Sequence, residues 1–187
     1  MAEINARPTL DRPLRADEVD VQVVEVTKDW ARVRLWPNVD AVRSILEDVC
    51  REMHTPFAVR HYACGRALYC GVGMPPREDG EPVYRDACEI GGYHLEGNTP
   101  EQDECDSSFL AAAALWDVAR PVLRMRPIRL SADRVQINPV ADPSGQRIRG
   151  YALAETLTCD ALAYEGGELT MVQLVKRDGG KLLWQKA

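Results

Sequence analysis

Residues 57–88, FAVRHYACGRALYCGVGMPPREDGEPVYRDAC, contain three runs of apolar and aromatic residues that decide the fold. The runs are FAVRHYA, ALYCGVGM and EPVYRDAC, and turn-forming residues separate them at positions 64–66 and 75–80. Glycine and proline between such runs are typical of tight turns between strands. The stretch therefore predicts a three-stranded antiparallel β-meander.

A helix is predicted before the meander. Asn38 can cap a helix over residues 39–53, where apolar residues recur with the 3.6-residue period of an α-helix. Polar residues fill the positions between them. One face of this helix should therefore be buried.

A second, longer helix is predicted after the meander. Thr99, Pro100 and Gln102 have the spacing of a capping box with proline in the first turn, and Pro121 follows the expected end of the helix. Residues 109–119, FLAAAALWDVA, are apolar on nearly all sides. We expect this helix to be largely buried on the concave face of the meander, with core positions at Phe109, Leu115 and Trp116.

Further strands are predicted on both flanks. The runs VDVQVVEV and WARVRLW alternate in the strand manner around a turn at residues 27–29, which indicates an N-terminal hairpin. In the second run Ala31, Val33 and Leu35 should be buried, with the neighbouring arginines in water. Residues 124–150 suggest an irregular basic connection around one short strand, RVQIN, and residues 155–185 a C-terminal β-meander with turns at two Gly-Gly pairs.

The predicted fold class is α+β. An antiparallel β-meander packs on a long, largely buried helix, with an N-terminal β-hairpin and helix before it and a C-terminal β-meander after it. Residues 1–15, which carry two prolines, should form a flexible arm. Residues 16–187 should form a single domain, since 187 residues with 45% apolar and 28% charged side chains are typical of one globular unit.

Composition also bears on location and on thiol chemistry. No stretch reaches the ~18 apolar residues of a membrane span, and residues 1–20 lack the apolar centre of a signal peptide. We expect a cytoplasmic protein with no membrane partner, in which cysteines are reduced and mostly buried. The cysteines are Cys50, Cys64, Cys70, Cys88, Cys105 and Cys159.

The net charge of −6 hides two segments of opposite sign. Residues 76–106 hold ten acids against two arginines, and residues 120–149 hold seven arginines against two acids. Opposite charges on two segments of one chain favour head-to-tail contacts between subunits, which close into a ring. A homo-oligomer is therefore expected.

The sequence lacks the common catalytic motifs, so we expect no enzyme activity, cofactor or metal. Two alternatives remain open. His61 near Cys64 or Cys70 could form a base and thiol pair, although on strands these residues could as easily be packing residues. Zinc could bind through Cys64, Cys70, Cys88 and His94, although their spacing matches no standard site.

Single-stranded DNA is the expected ligand. Its binding needs cations for phosphates and planar side chains for bases. The meander alternates arginine with tyrosine, and residues 120–134 hold the densest run of arginines. Each feature has a plainer interpretation, as a solvated sheet face or as a partner for acidic residues 76–106 of another subunit. The candidate DNA-binding residues are Arg60, Arg66, Arg85, Arg120, Arg124, Arg126, Tyr62, Tyr69 and Tyr84, with Arg129 and Arg134 in the same basic run.

The order of these elements resembles the phage and bacterial single-strand annealing proteins of the Rad-fifty-two superfamily. The matching stretches are RPLRADEVDVQVVEV, NVDAVRSILEDV, ALYCGVGM, EGNTPE and LTCDALAYEGGELTMVQLVKRDGGKLLW. The most specific stretch is SSFLAAAALWDVAR, in which Ser108, Phe109, Trp116 and Arg120 occupy family positions. The resemblance implies ATP-independent annealing of single-stranded DNA in recombination or repair, by a homo-oligomeric ring, with Arg85 as a basic residue of the DNA groove.

The chain departs from that family pattern at two places. Leu110 and Ala111 replace a Lys-Arg pair, and the run QDECD is acidic where the family is basic. Both changes remove cations that would contact phosphates. The alternative function is therefore an oligomeric assembly protein of the same fold that has lost DNA binding.

Overall fold

The computed structural model describes residues 9–76, 80–145 and 147–186. Most of the predicted arm, at residues 1–8, lies outside them. The helices are α1 Val39–Glu52, α2 Pro100–Ala114 and α3 Arg120–Leu123. The strands are β1 Val19–Val26, β2 Trp30–Pro37, β3 Ala58–Cys64, β4 Ala67–Met74, β5 Val83–Cys88, β6 Ile128–Ser131, β7 Ile137–Ala141, β8 Ile148–Leu153, β9 Leu157–Glu165, β10 Glu168–Lys176 and β11 Lys181–Gln185. These strands form antiparallel sheets, so the α+β fold class is confirmed.

The described residues divide into two compact units. The first unit comprises residues 9–13, 37–76 and 80–123, with all three α-helices and the sheet β3–β4–β5. The second comprises residues 14–36, 124–145 and 147–186, with the other strands. No helix in these residues is long and apolar enough to cross a membrane.

The predicted meander and both helix starts in the first unit are confirmed. Strand β4 pairs antiparallel with β3 and with β5, and Gly65 makes the β3–β4 turn with φ of 66°. The Asn38 side chain accepts hydrogen bonds from the backbone of Asp40 and Ala41 at the start of α1. The Thr99 hydroxyl accepts from Gln102 N, while the Gln102 side chain accepts from Thr99 N. Local sequence therefore sets where each helix begins.

Helix α2 packs on β4 and β5, and its second half is buried as expected. Phe109 is 1% exposed, and the small side chains of Ala112 and Ala113 allow close approach to the sheet. Burying a phenylalanine side chain is worth roughly 1.5–3 kcal/mol. This contact gives the meander one covered face.

The end of α2 differs from the prediction. The helix ends at Ala114 rather than near residue 119, and Asp117 and Ala119 have positive φ of 67° and 55°. Backbone N–H groups of residues 115–117 bond to carbonyls three residues back, which tightens the last turn. The turn brings the Trp116 indole to the sheet, where Nε1 donates to the Val72 carbonyl at 2.8 Å. Leu115, expected in the core, is instead 45% exposed.

In the second unit, the N-terminal hairpin and the C-terminal meander are confirmed. Ala31, Val33 and Leu35 are buried in β2, Arg32 is exposed and Arg34 is half-buried. Strand β10 pairs with β9 and β11, and glycines with positive φ make both turns. Alternating burial along a strand made these elements predictable.

The expectation for residues 124–150 was wrong. Instead of one strand in an irregular connection, they hold β6, β7 and the beginning of β8. Strand β6 has four residues and pairs with β2, so its Ile128 and Leu130 join the buried face beside Val33 and Ala31. A four-residue strand is too short to show a period in sequence. Pro139 lies within β7, one strand of a two-stranded sheet, where an edge position tolerates a missing N–H.

Candidate nucleic-acid interface

The sheet β3–β4–β5 has two faces of different chemistry. Residues directly paired across strands lie on the same face of a sheet. Val72 is fully buried, on the face toward α2, and Gly71 and Gly73 therefore point to the opposite, open face. The register places Arg60 and Asp86 beside Gly71, Tyr84 beside Gly73, and Tyr62 beside Tyr69 on that open face.

Two glycines form the floor of the open face. A Cβ atom at Gly73 would lie 2.7 Å from the Tyr84 ring, and one at Gly71 would lie 2.8 Å from Arg60 Nε. Real Cβ atoms essentially never approach so closely. The missing side chains therefore let Tyr84 and Arg60 lie flat across the central strand.

The aromatic rings on this floor are partly stacked. The Tyr62 and Tyr69 centroids are 5.5 Å apart with an interplanar angle of 16°. The Arg60 guanidinium lies 4.1 Å from the Tyr84 centroid and 5.9 Å from that of Tyr62. We call Arg60, Tyr62, Tyr69, Tyr84 and Asp86 the tyrosine platform. Its rings remain partly accessible, and Tyr62 is 41% exposed.

Asp86 holds the platform's one arginine in a bidentate ion pair. Arg60 Nη2 lies 3.0 and 3.1 Å from the two Asp86 carboxylate oxygens, and Arg60 Nε donates to Oδ1 at 3.3 Å. The Arg60 side chain is 51% exposed and that of Asp86 26% exposed. The pair orients the guanidinium, but its opposite charges cancel. The platform therefore offers stacking surfaces with little net positive charge.

The phenol of Tyr62 is uncharged at neutral pH. Desolvation and, next, the Asp86 charge raise the pKa of Tyr62 above its usual value. A neutral ring can face a nucleic acid without repelling phosphates. Its environment therefore suits stacking.

Arg85, expected beside these tyrosines, lies on the opposite face. It pairs with Val72 in the register, which directs its side chain toward the α2 side. Its guanidinium lies 4.1 Å from the Trp116 ring centroid, and Nη1 donates a hydrogen bond to the Leu115 carbonyl. Cations near a helix C-terminus satisfy its unpaired carbonyls. The structure gives Arg85 these contacts at the end of α2 and does not bring it together with the platform.

The other predicted arginines are distributed over both units. Arg66 is exposed at the β3–β4 turn. Arg120 forms an ion pair with Asp117 in the first unit. Arg124, Arg126 and Arg134 are exposed in the second unit, and Arg129 lies over the Trp30 ring there. They are therefore not one continuous basic groove within either unit.

The cysteines do not assemble around one site. Cys70 is buried on the α2 side of the sheet, where it is the cross-strand partner of His61. Burial raises the pKa of the Cys70 thiol to about 12. A thiol with such a pKa is protonated at neutral pH and is a poor nucleophile. Cys64 and Cys88, expected to be buried, are exposed because each ends an edge strand. Within the described residues, no three His, Cys, Asp or Glu side chains form a group that could hold a metal.

His94 instead participates in a clamp at the start of α2. Its Nδ1 lies 2.7 Å from the buried Asp103 carboxylate, which also accepts hydrogen bonds from Leu95 N and Asn98 Nδ2 at 3.1 Å each. Burial acts to raise the pKa of Asp103, but the hydrogen bonds outweigh it and hold the pKa below its usual range. The clamp fixes the loop after β5 to α2.

Sequence reasoning missed Asp86, Gly71 and Gly73. The alternation Gly-Val-Gly in β4 was a usable signal, because glycines two residues apart in a strand leave one face flat. It also missed Trp30 and Arg32 in the second unit. Their signal was the pattern WARVRLW, in which tryptophan and arginine share one face.

No protein-family model, curated protein or solved structure matches this chain. What the platform can do follows from its side chains. Exposed aromatic rings on an open sheet can stack on unpaired bases, and each such stack is worth about 1–3 kcal/mol. Because every base has a flat face, stacking of this kind is tolerant of sequence.

Proposed function

We propose that this protein binds single-stranded DNA on the tyrosine platform and promotes annealing of complementary strands. The observation that supports this most directly is the flat floor at Gly71 and Gly73, across which Tyr84 and Arg60 lie beside the stacked pair Tyr62–Tyr69. The resemblance to Rad-fifty-two annealing proteins supports the same function. On this proposal the protein needs no ATP, acts as a homo-oligomer, with a ring as the expected form, and takes part in recombination or repair in a phage or bacterial cytoplasm.

Binding on this platform would rely first on base stacking, rather than on attraction between a cation and phosphates. Arg60 is already paired with Asp86, so a phosphate must compete with a carboxylate for the guanidinium. Exposed ion pairs of this kind contribute only about 0–1 kcal/mol, and a phosphate can replace the carboxylate. Affinity should therefore be modest, and Asp86 should limit it.

Asp86→Asn is the variant that tests this arrangement. It removes the competing charge and keeps the side-chain shape, so we expect tighter binding of a labelled oligo-dT in fluorescence anisotropy. If one additional phosphate is engaged, the slope of log affinity against log salt should become steeper by about 0.7. Asp178→Asn is the matched control, because it changes net charge equally at an exposed turn of the second unit.

A second candidate function is oligomeric assembly without DNA binding. The Arg60–Asp86 pair favours it, since the platform lacks a free cation of its own. Light scattering and the same titration separate the two functions. If wild type and Asp86→Asn are both oligomeric and neither binds oligo-dT at low salt, the function is assembly and the annealing proposal fails.

A further inference from the structure

A second cluster of arginine and tryptophan lies in the second unit, on the face of β2 and β6 opposite the core. The register pairs Arg32 directly with Arg129, and Trp30 with Ser131. Both guanidiniums lie over the same indole, at 4.8 Å and 5.0 Å from the Trp30 ring centroid. We call Trp30, Arg32 and Arg129 the paired-arginine site.

Two like charges directly opposite each other in a sheet normally destabilise the pair of strands. Here one carboxylate compensates: Glu25 forms an ion pair with Arg32 at 3.3 Å, and both side chains are about half exposed. In the parts of the chain that the structure describes, no carboxylate forms an ion pair with Arg129. The site therefore keeps an excess of positive charge on an exposed surface.

The backbone beneath the site is held firmly. Thr27 N donates to the Trp30 carbonyl at 2.8 Å, and Trp30 N donates to the Thr27 hydroxyl at 3.2 Å. The hydrogen-bonded ladder with β6 fixes the position opposite. A guanidinium stacked on an aromatic ring is restricted to one plane and keeps its edge N–H donors available. The arginines are therefore oriented before any ligand arrives.

We propose that the paired-arginine site binds a backbone phosphate of a nucleic acid strand, with the anion accepting hydrogen bonds from Arg32 and Arg129. Planar guanidiniums suit phosphate oxygens because they donate two parallel hydrogen bonds. Because the guanidiniums stack on the Trp30 ring, that ring does not stack on a base. The site therefore recognises the charge of the phosphate rather than the bases. The inference extends the proposed function to a place on the second unit, and it stands independently of the tyrosine platform.

An abasic phosphodiester oligomer, which has the sugar-phosphate backbone but no bases, is the probe that separates the two sites. We expect wild type to bind it at low salt, measured by anisotropy with an end label. Arg129→Gln should weaken this binding roughly threefold to tenfold and flatten the log–log salt slope by about 0.7 for the lost phosphate contact. Arg129→Lys keeps the charge but not the fork of donors, and should fall between the two.

Arg177→Gln is the matched control, because it removes an exposed arginine of the same unit at the turn between β10 and β11, outside the basic run. Tyr84→Ala should bind the abasic oligomer like wild type, so failure of the platform proposal would leave this result unaffected. Thymidine monophosphate as competitor distinguishes a single free phosphate ester from a strand, since only a strand should compete at micromolar concentration. Absence of abasic binding by wild type, or equal weakening by Arg177→Gln and Arg129→Gln, would overturn the inference.

Discussion

The two faces of the sheet β3–β4–β5 each hold an arginine stacked on an aromatic ring, yet the two arginines do different work. Arg60 lies 4.1 Å from the Tyr84 ring on the open face, and Arg85 lies 4.1 Å from the Trp116 ring on the covered face. Arg85 donates to the Leu115 carbonyl at the end of α2, whereas Arg60 is paired with Asp86 on the open face. Strand parity, rather than residue type, decides which arginine contacts the end of α2 and which lies on the open face with the tyrosines.

The largest expected contrast between the faces is in stability. Phe109→Ala removes a ring that is 1% exposed under the covered face, and should lower the free energy of unfolding by about 3–5 kcal/mol. Tyr62→Ala, on the open face, should cost much less because Tyr62 is 41% exposed. Urea denaturation followed by circular dichroism measures both. Equal losses would mean that the faces do not differ as described.

Arg85→Ala and Arg60→Ala should also differ in the free energy of unfolding, but by less than Phe109→Ala and Tyr62→Ala do. Arg85→Ala loses a cation–π contact and a charged hydrogen bond to a helix end, which together should cost about 1–2 kcal/mol. Arg60→Ala loses an exposed ion pair and the cation–π contact with Tyr84, but no hydrogen bond to a helix end, and should cost about 0.5–1.5 kcal/mol. If Arg60→Ala proves the more destabilising, the assignment of the two faces is reversed.

Gly73→Ala tests whether the flat floor of the open face positions the Tyr84 ring for stacking. The added Cβ would lie 2.7 Å from the Tyr84 ring, so the ring must move off the strand. Stability should change by under about 1 kcal/mol, because alanine also restricts the unfolded chain. Oligo-dT affinity should fall roughly threefold to tenfold, which corresponds to losing part of the free energy of one base stack. Unchanged affinity would show that Tyr84 does not contribute a stacking surface.

The smallest predicted effect concerns pH and the clamp at the start of α2. The folded-state pKa of Asp103 lies below its usual value, so its carboxylate stabilises the fold above the unfolded pKa of about 3.9. That contribution is lost as pH falls through the lower, folded pKa. Asp103→Asn should therefore be less stable than wild type at pH 6, and the difference should shrink below about pH 4. A difference that grows on acidification would contradict the direction of the shift.

Periodicity and capping residues were enough to predict much of this fold. Asn38 and Thr99 fixed both helix starts, because capping depends on a few adjacent residues. The end of α2 could not be predicted, since it depends on the Trp116 indole reaching the Val72 carbonyl, 44 residues away. Strand β6 was missed because its partner β2 lies about a hundred residues earlier in the chain.

The candidate site was predicted in part. Tyr62, Tyr69, Tyr84 and Arg60 do share one face, as their spacing in strands allows. The sequence Tyr84–Arg85–Asp86 shows why the rest was not predicted. Three adjacent residues alternate between faces, so Arg85, chosen by its charge, lies on the face opposite to Tyr84, and Asp86 went unnoticed. The strand register determines which residues form the tyrosine platform, and the residue types alone did not reveal it.

The affinity of the double variant Tyr62→Ala/Tyr84→Ala for oligo-dT, measured beside that of Arg85→Ala, tests the central claim most directly. Removing two stacking rings should weaken binding by roughly thirtyfold or more while the protein stays folded. Arg85→Ala, compared at a temperature where it is folded, should bind like wild type. If the double variant binds as wild type does, or Arg85→Ala loses as much affinity as the double variant, the open face is not the nucleic-acid interface.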